Sequence, residues 1–303
     1  MKFNPDADLD TSGVEDTRGT GGGGGGLLPG GMGIPVGGGI GGLILLVVVL
    51  LLNGGIPGVG GGGSDEPTVR NTAEGNLDSC KKGTDLTKNE NCRFVVYQNS
   101  IQGFWAAELP RRGKKYVAAP MRVFDGQVNT GCGAASSAVG PFYCPPDKRV
   151  YLDLGFFNTL QTELGAKGGN FAEAYVVAHE YGHHIQNLYG YLDRIKTREG
   201  PTSDSVRSEL QADCLAGIWT NHATTAKDAQ GDTFISGLTD DDIDRGLDAA
   251  ASVGDDRIQQ KTQGRVTPEN FSHGTAEQRQ RWFRVGMDSG DMSSCDTWNT
   301  RQL

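Results

Sequence analysis

Residues 176–190, VVAHEYGHHIQNLYG, contain three of the chain's five histidines within six consecutive positions. His179, Glu180 and His183 form the pattern H-E-x-x-H in a run whose apolar spacing predicts a helix. Because residues four apart share one helix face, both imidazoles can reach a single metal ion, and Glu180, about 100° away around the helix, can contact a water on that ion. The spacing therefore predicts a metal site with a neighbouring carboxylate that can act as a base.

A site of this type needs a third protein ligand, and the motif itself does not supply one. The metzincin pattern requires glycine and histidine where this chain has Gln186 and Tyr189. In SVRSELQADCLAGIW, Glu209 and Asp213 are four apart on a second predicted helix. Glu209 can complete a His₂Glu zinc site, and Asp213 can accept the second ring N–H of a zinc-bound histidine. The reverse assignment, with Asp213 as the ligand and Glu209 behind it, stays open.

The segments AHEYGHHIQ, SELQADCLAG, GCGAASSAVGPFYCPPDKRVYLDLGFF and HGTAEQR resemble the putative neutral zinc metallopeptidase family of bacterial membrane-anchored proteins, over most of the chain. The resemblance implies a gluzincin-like Zn²⁺ site with His179, His183 and Glu209 as ligands and Glu180 as the catalytic acid/base. Three protein ligands leave zinc an open position, and the pKa of a water there can fall to about 7. His273, at a loop-to-helix junction, is a candidate second donor to the developing oxyanion.

These residues predict a zinc metalloendopeptidase that hydrolyses peptide bonds of a protein or peptide substrate. Two alternatives stay open: an inactive zinc-binding scaffold of the cell envelope, and a zinc amidase acting on cell-wall peptides. A scaffold is expected to have lost the base, whereas Glu180 is present; an amidase would share the same ligands. The net charge of −9 argues against a nucleic-acid partner, which would require a basic face.

The N-terminal quarter differs sharply in composition from the rest. No charged residue occurs from position 19 to 64, where glycine runs flank an apolar segment. We therefore expect a single-pass protein of the cell membrane, with its catalytic domain outside the cytoplasm; the alternative is that the apolar segment is a buried helix or the core of a signal peptide. The predicted organisation is a polar and Gly-rich tail (1–33), a transmembrane helix (34–56), a Gly-rich linker (57–65) and the metallopeptidase domain (66–303).

The predicted fold class of the domain is α+β, a zincin-like domain with a mixed N-terminal lobe and a helical C-terminal part. β-branched and aromatic runs predict strands near 93–98, 114–126 and 148–154, and three-to-four spacing predicts helices over 171–188, 204–220, 239–253 and 275–287. The run 149–157 is either an edge strand that pairs with a peptide substrate or an ordinary core strand.

All six cysteines follow the uncharged segment, and an even number suits an oxidising compartment. Spacing suggests two local disulfides, Cys80–Cys92 and Cys132–Cys144, which leaves Cys214 to pair with Cys295.

Overall fold

The computed structural model describes residues 1–19 and 76–303. In these ranges the chain combines seven α-helices with eight short strands. The helices are α1 (Cys92–Arg111), α2 (Phe156–Thr162), α3 (Asn170–Tyr189), α4 (Asp204–His222), α5 (Asp240–Ser252), α6 (Asp255–Gln263) and α7 (Ala276–Ser289). The strands are β1 (Lys2–Phe3), β2 (Val14–Asp16), β3 (Met121–Phe124), β4 (Gln127–Thr130), β5 (Gly133–Ser136), β6 (Phe142–Cys144), β7 (Arg149–Asp153) and β8 (Ile235–Gly237).

The largest sheet has four strands in the order β2-β3-β7-β6. β2 and β7 run parallel to β3, and β6 pairs antiparallel with β7 at one edge. The first five residues of the run 149–157 therefore form an interior strand, in agreement with the core-strand alternative, whereas its last two residues belong to α2. The edge position is taken by β6. The strand β7 is almost entirely buried, whereas β4 and β5 form a separate, more exposed hairpin.

The helical part is built around α3, which packs against α1, α4 and α5, while α7 packs along α4. All four helices predicted from three-to-four spacing are present, with ends within two residues of the expected ones. Ser203, Thr239 and Thr275 cap α4, α5 and α7 through their side-chain oxygens. Gly190 ends α3 in a left-handed conformation, with φ of +73°, which glycine adopts without steric cost.

The prediction of a strand near 93–98 was wrong, because these residues lie in α1. Their β-branched and aromatic side chains favour a strand locally, but Phe94, Val95, Val96 and Tyr97 are all buried in the core. Tertiary packing of a helix buried around most of its circumference has overridden the local preference.

The N-terminal residues are an integral part of the domain. β1 pairs with β8, β2 pairs with β3, and Ala7, Leu9 and Val14 are buried in the core. Within the two described ranges, the helices are all too short or too polar to cross a bilayer. The predicted span, residues 34–56, lies outside the described residues.

This arrangement corrects the membrane prediction. One crossing between residues 19 and 76 would put β2 and β3 on opposite sides of a bilayer, yet they are hydrogen-bonded neighbours. The expectation of a transmembrane helix preceding the domain, with the tail on one side and the domain on the other, is therefore wrong, and so is the single-pass membrane localisation. The hydropathy of one segment did not reveal that its two flanks pair.

The three predicted disulfides are confirmed: Cys80–Cys92, Cys132–Cys144 and Cys214–Cys295. The third joins α4 to the C-terminal segment across 81 residues of sequence. It therefore fixes the end of the chain beside the helix that carries Glu209 and Asp213.

Gly182 sets how closely α3 and α4 approach. A Cβ at this position would lie 2.9 Å from the carbonyl oxygen of Ala212, which is backbone and cannot rotate away. We expect Gly182→Ala to push the helices apart and lower the free energy of unfolding by about 1–3 kcal/mol.

Gly103→Ala is the matched control, since a Cβ there meets only ordinary contacts at 3.7 Å or more. That change should be neutral or stabilising by no more than about 1 kcal/mol. Chemical denaturation of both variants measures the difference; equal stability would show that the α3–α4 contact tolerates a methyl group.

Candidate metal centre

The two helices α3 and α4 bring the three proposed ligands together. One ligand atom each from His179, His183 and Glu209 lie within 4.8 Å of one another, and all three residues are buried. Nε2 of His179 is 3.1 Å from Oε2 of Glu209, and Nε2 of His183 is 3.4 Å from Oε1. The two oxygens of one carboxylate thus each face one imidazole.

The chemistry of this cluster fits a zinc ion. Nε2 of His183 is buried and has no hydrogen-bond partner among the described residues, and such a group is costly unless something else satisfies it. Two imidazoles and a carboxylate are the ligand set of many catalytic zinc sites. Glu180 and Asp213 add two further buried carboxylates, and the guanidinium of Arg279, bound to Asp213, supplies a nearby positive charge. A divalent cation would offset the remaining negative charge.

The second nitrogen of each imidazole is held by another side chain. Nδ1 of His179 lies 2.8 Å from Oδ1 of Asp213, and Nδ1 of His183 lies 2.8 Å from Oε1 of Gln186. Both acceptors require an N–H on Nδ1, which leaves Nε2 of each ring with its lone pair available to a metal. This geometry favours Glu209 over Asp213 as the third ligand.

Electrostatics at the centre follow from burial and close pairing. Burial raises the pKa of the Glu180 carboxyl. Although burial acts in the opposite direction, contacts with His183 and His179 hold the pKa of Glu209 well below its usual range. Burial also opposes the shift at His179, but Asp213 outweighs it and raises the pKa of the imidazole to about 10. Without a metal, the carboxylates of Glu209 and Asp213 therefore favour positive charge on the neighbouring imidazole.

An open pocket lies against the cluster. Glu180 lines it together with Tyr175, His179, Glu209, His273 and Arg279, and the apolar side chains that complete the wall are Pro141, Phe156, Val176, Val253 and Ile258. A buried carboxyl beside three ligand atoms in a mostly apolar, solvent-accessible pocket can exchange protons with a molecule bound there.

His273 lies in this pocket, in the loop before α7. Its Nδ1 is 3.0 Å from Oδ1 of Asp255, and the other oxygen of Asp255 accepts backbone N–H bonds from Ser272, His273 and Gly274. One carboxylate therefore fixes both the loop and the imidazole. Four of the six predicted site residues line this pocket, and the other two lie behind it: His183 contacts Glu209, and Asp213 contacts His179.

The remaining two histidines have other partners. His184 contacts the carbonyl oxygen of Val117 through Nε2 and the hydroxyl of Tyr143 through Nδ1. His222 stacks on Phe104, with ring centroids 5.0 Å apart. Both are structural residues in this arrangement.

Sequence reasoning missed two residues that contact the centre. Gln186 was noted only because it breaks the metzincin pattern, although its position three residues after His183 places it next to that ring. Arg279, in the segment HGTAEQR, donates to Asp213 through Nε at 2.8 Å. Nothing in its local spacing indicated this contact, because 66 residues separate the two.

Two histidines and a glutamate on adjacent helices, with a second glutamate in the pocket, define a candidate zinc centre of the H-E-x-x-H class. A sequence model of the family described as "Putative neutral zinc metallopeptidase" matches residues 6–298, and the chain belongs to this family. No solved structure matches the chain.

Relatives in two bacteria share much of the sequence. The chain is 51% identical to the uncharacterized protein Rv2575 of Mycobacterium tuberculosis over 229 residues, which cover 75% of this chain and 77% of the relative. It is 40% identical to the uncharacterized protein YpfJ of Escherichia coli K12 over 218 residues, covering 70% and 72%.

Removing the carboxylate ligand tests the centre. We expect the wild-type protein to bind about one zinc ion and Glu209→Ala to weaken zinc binding by more than about 100-fold, the upper end of the effect of losing an outer partner. Glu199→Ala, which removes an exposed carboxylate, is the control and should bind zinc normally. Competition with a chromogenic chelator measures both; equal affinities would mean that the third ligand lies elsewhere.

Proposed function

We propose that the protein is a zinc-dependent metalloendopeptidase that hydrolyses peptide bonds with Glu180 as the general base. The observation that carries the proposal is the position of Glu180: it is buried in the wall of the pocket that His179 and Glu209, two of the three candidate ligands, also line. A carboxyl in that position is within reach of the water and the carbonyl that the reaction joins.

His179, His183 and Glu209 would hold the zinc ion. When bound, zinc supplies a Lewis acid that polarises a carbonyl and lowers the pKa of water. Glu180 takes the proton from the attacking water and then transfers it to the leaving amine. Burial favours the first of these steps, because a raised pKa makes the carboxylate a stronger base toward the water.

His273 is proposed as the donor to the developing oxyanion. Asp255 holds Nδ1 of the ring, and the ring lines the same pocket as Glu180. Although burial acts against it, Asp255 also raises the pKa of His273, which favours the protonated, donating form. A donor fixed before the reaction starts needs no reorganisation when negative charge develops on the carbonyl oxygen.

Edge strand β6 and the residue before it form one side of the proposed substrate site. Pro141 lines the pocket, and β6 follows it directly at the edge of the four-stranded sheet. An extended peptide could pair with this edge and place an apolar side chain against the pocket wall. The proposed substrate is therefore a protein or peptide with an apolar residue beside the scissile bond.

Glu180→Gln separates metal binding from catalysis. The variant should keep zinc, since the three ligands are unchanged, and should lose hydrolysis by about 10²–10⁴-fold, the usual contribution of a general base. A quenched-fluorescence peptide library reports cleavage, and metal analysis reports zinc content. Glu163→Gln, an exposed change, is the control.

Full activity of Glu180→Gln would contradict the proposed base. Zinc-loaded wild type that cleaves no peptide in the library would contradict the endopeptidase function. Cleavage confined to cell-wall peptides would instead identify the amidase.

His273→Ala should lower kcat by about 10²–10³-fold, as loss of one oxyanion donor does, with a smaller effect on KM and none on zinc affinity. His222→Ala is the matched control, because His222 packs on Phe104 away from the pocket residues. Steady-state kinetics with one peptide substrate make the comparison; an equal loss of kcat in both variants would assign His273 a structural role.

A further inference from the structure

Asp213, the carboxylate that holds His179, is itself held by several donors. It is completely buried. Its Oδ1 accepts from Nδ1 of His179 at 2.8 Å, from the hydroxyl of Tyr175 at 2.6 Å and from Nη2 of Arg279 at 3.0 Å. Its Oδ2 accepts from Nε of Arg279 at 2.8 Å. The guanidinium therefore binds both oxygens, the paired geometry that fixes the plane of a carboxylate as well as its place.

We propose that Arg279 is a positioning residue of the metal centre. Through its two bonds to Asp213 it orients the oxygen that receives Nδ1–H of His179, and so keeps Nε2 of that ring directed at Glu209. The inference rests on the proposed zinc site and deepens it, because it assigns to α7 a part in building a centre whose ligands all come from α3 and α4.

The contacts of Arg279 point inward rather than toward a substrate. Besides Asp213, its nitrogens reach the carbonyl oxygen of Val253 at 3.3 Å and the hydroxyl of Tyr175 at 3.3 Å. Nε, Nη1 and Nη2 each have a protein acceptor, and the residue is only 4% exposed. Although it lines the pocket, its donors are committed to the protein, so it acts through Asp213.

A second contact places Arg279, Asp213 and His179 in one cluster. Nη2 of Arg279 lies 3.4 Å from Nδ1 of His179, although both nitrogens are donors to Asp213. The shared acceptor Oδ1 makes this close approach favourable. Without the carboxylate, the guanidinium and the imidazole would lose their shared acceptor, and Arg279 could no longer orient His179. The effects of changing Asp213 and Arg279 on zinc affinity should therefore not add.

The close packing of α7 against α4 gives Arg279 a fixed base from which to act. A Cβ on Gly286 of α7 would lie only 1.9 Å from the carbonyl oxygen of Cys214 in α4, so the two backbones are almost in contact. Cys214 directly follows Asp213 in the sequence. The guanidinium and the carboxylate thus come from two helices that cannot shift relative to each other without disturbing this contact.

The test is a double-mutant cycle on zinc affinity in the full-length chain. Arg279→Gln should weaken zinc binding by about 10–100-fold, the range for removal of a partner that orients a ligand. Asp213→Asn should weaken zinc binding by a similar factor. The double variant should bind zinc only slightly less tightly than the single variant with the lower affinity. Arg284→Gln, an exposed change on the same helix, is the matched control and should leave the affinity unchanged.

The second quantity to measure, besides zinc affinity, is the melting temperature of each metal-free variant. If the ion pair between Arg279 and Asp213 is purely structural, Arg279→Gln will lower the melting temperature and leave the zinc affinity of the folded protein at the wild-type value. That result would overturn the proposal. Additive losses in the cycle would also overturn it. If Arg279→Gln does not fold, Arg279→Lys keeps the charge but loses the paired bonds: weaker zinc binding supports the proposal, and wild-type affinity overturns it.

Failure of this inference can be told apart from failure of the proposed function. Wild-type protein that binds no zinc would remove the metal centre altogether. Wild-type protein that binds zinc, with Arg279→Gln binding it equally well, would remove only the role of Arg279.

Discussion

The hydrogen bonds to the buried carboxylate of Asp213 are the interaction on which the candidate site and its supporting helices depend. It lies where α3, α4 and α7 meet and accepts hydrogen bonds from side chains of both neighbouring helices. An unpaired charge at this depth would cost several kcal/mol, so the three helices are stable together only in the arrangement that completes these bonds. That arrangement is also the one that directs His179 at Glu209. The packing of the helical core therefore also positions the residues of the candidate metal site.

Close helix packing maintains this geometry. Glycines at the crossings, Gly182 between α3 and α4 and Gly286 between α4 and α7, let backbones approach to distances that a methyl group would prevent. The disulfide Cys214–Cys295 then joins α4 to the C-terminal segment one residue beyond Asp213. A site held by packed helices and a covalent link loses little entropy when it binds metal, and the proposed hydrolysis would require such preorganisation.

The sequence was most informative where one local rule applied. H-E-x-x-H, the Glu209/Asp213 spacing and the apolar period of four helices all depend on positions within one element, and each of those elements forms as expected. It was least informative where distant elements meet. The 93–98 run became helical because the core buries it, β2 joined the sheet from the far side of an uncharged segment, and Arg279 reached Asp213 from another helix. Hydropathy and propensity measure single segments and do not report pairing between them.

The two acids on α4 divide their work according to length and partner. Glu209 reaches Nε2 of both histidines, whereas the shorter Asp213, one turn later, meets Nδ1 of His179 and the guanidinium of Arg279. Although burial opposes the shift, Arg279 lowers the pKa of Asp213 to about 2, so its charge is already balanced within the protein. Among the described residues Glu209 has no ion pair with a guanidinium, and its two oxygens directly contact the imidazoles of His179 and His183. A cation entering the cluster would therefore gain most from Glu209, which is the physical reason to propose it, rather than Asp213, as the third ligand.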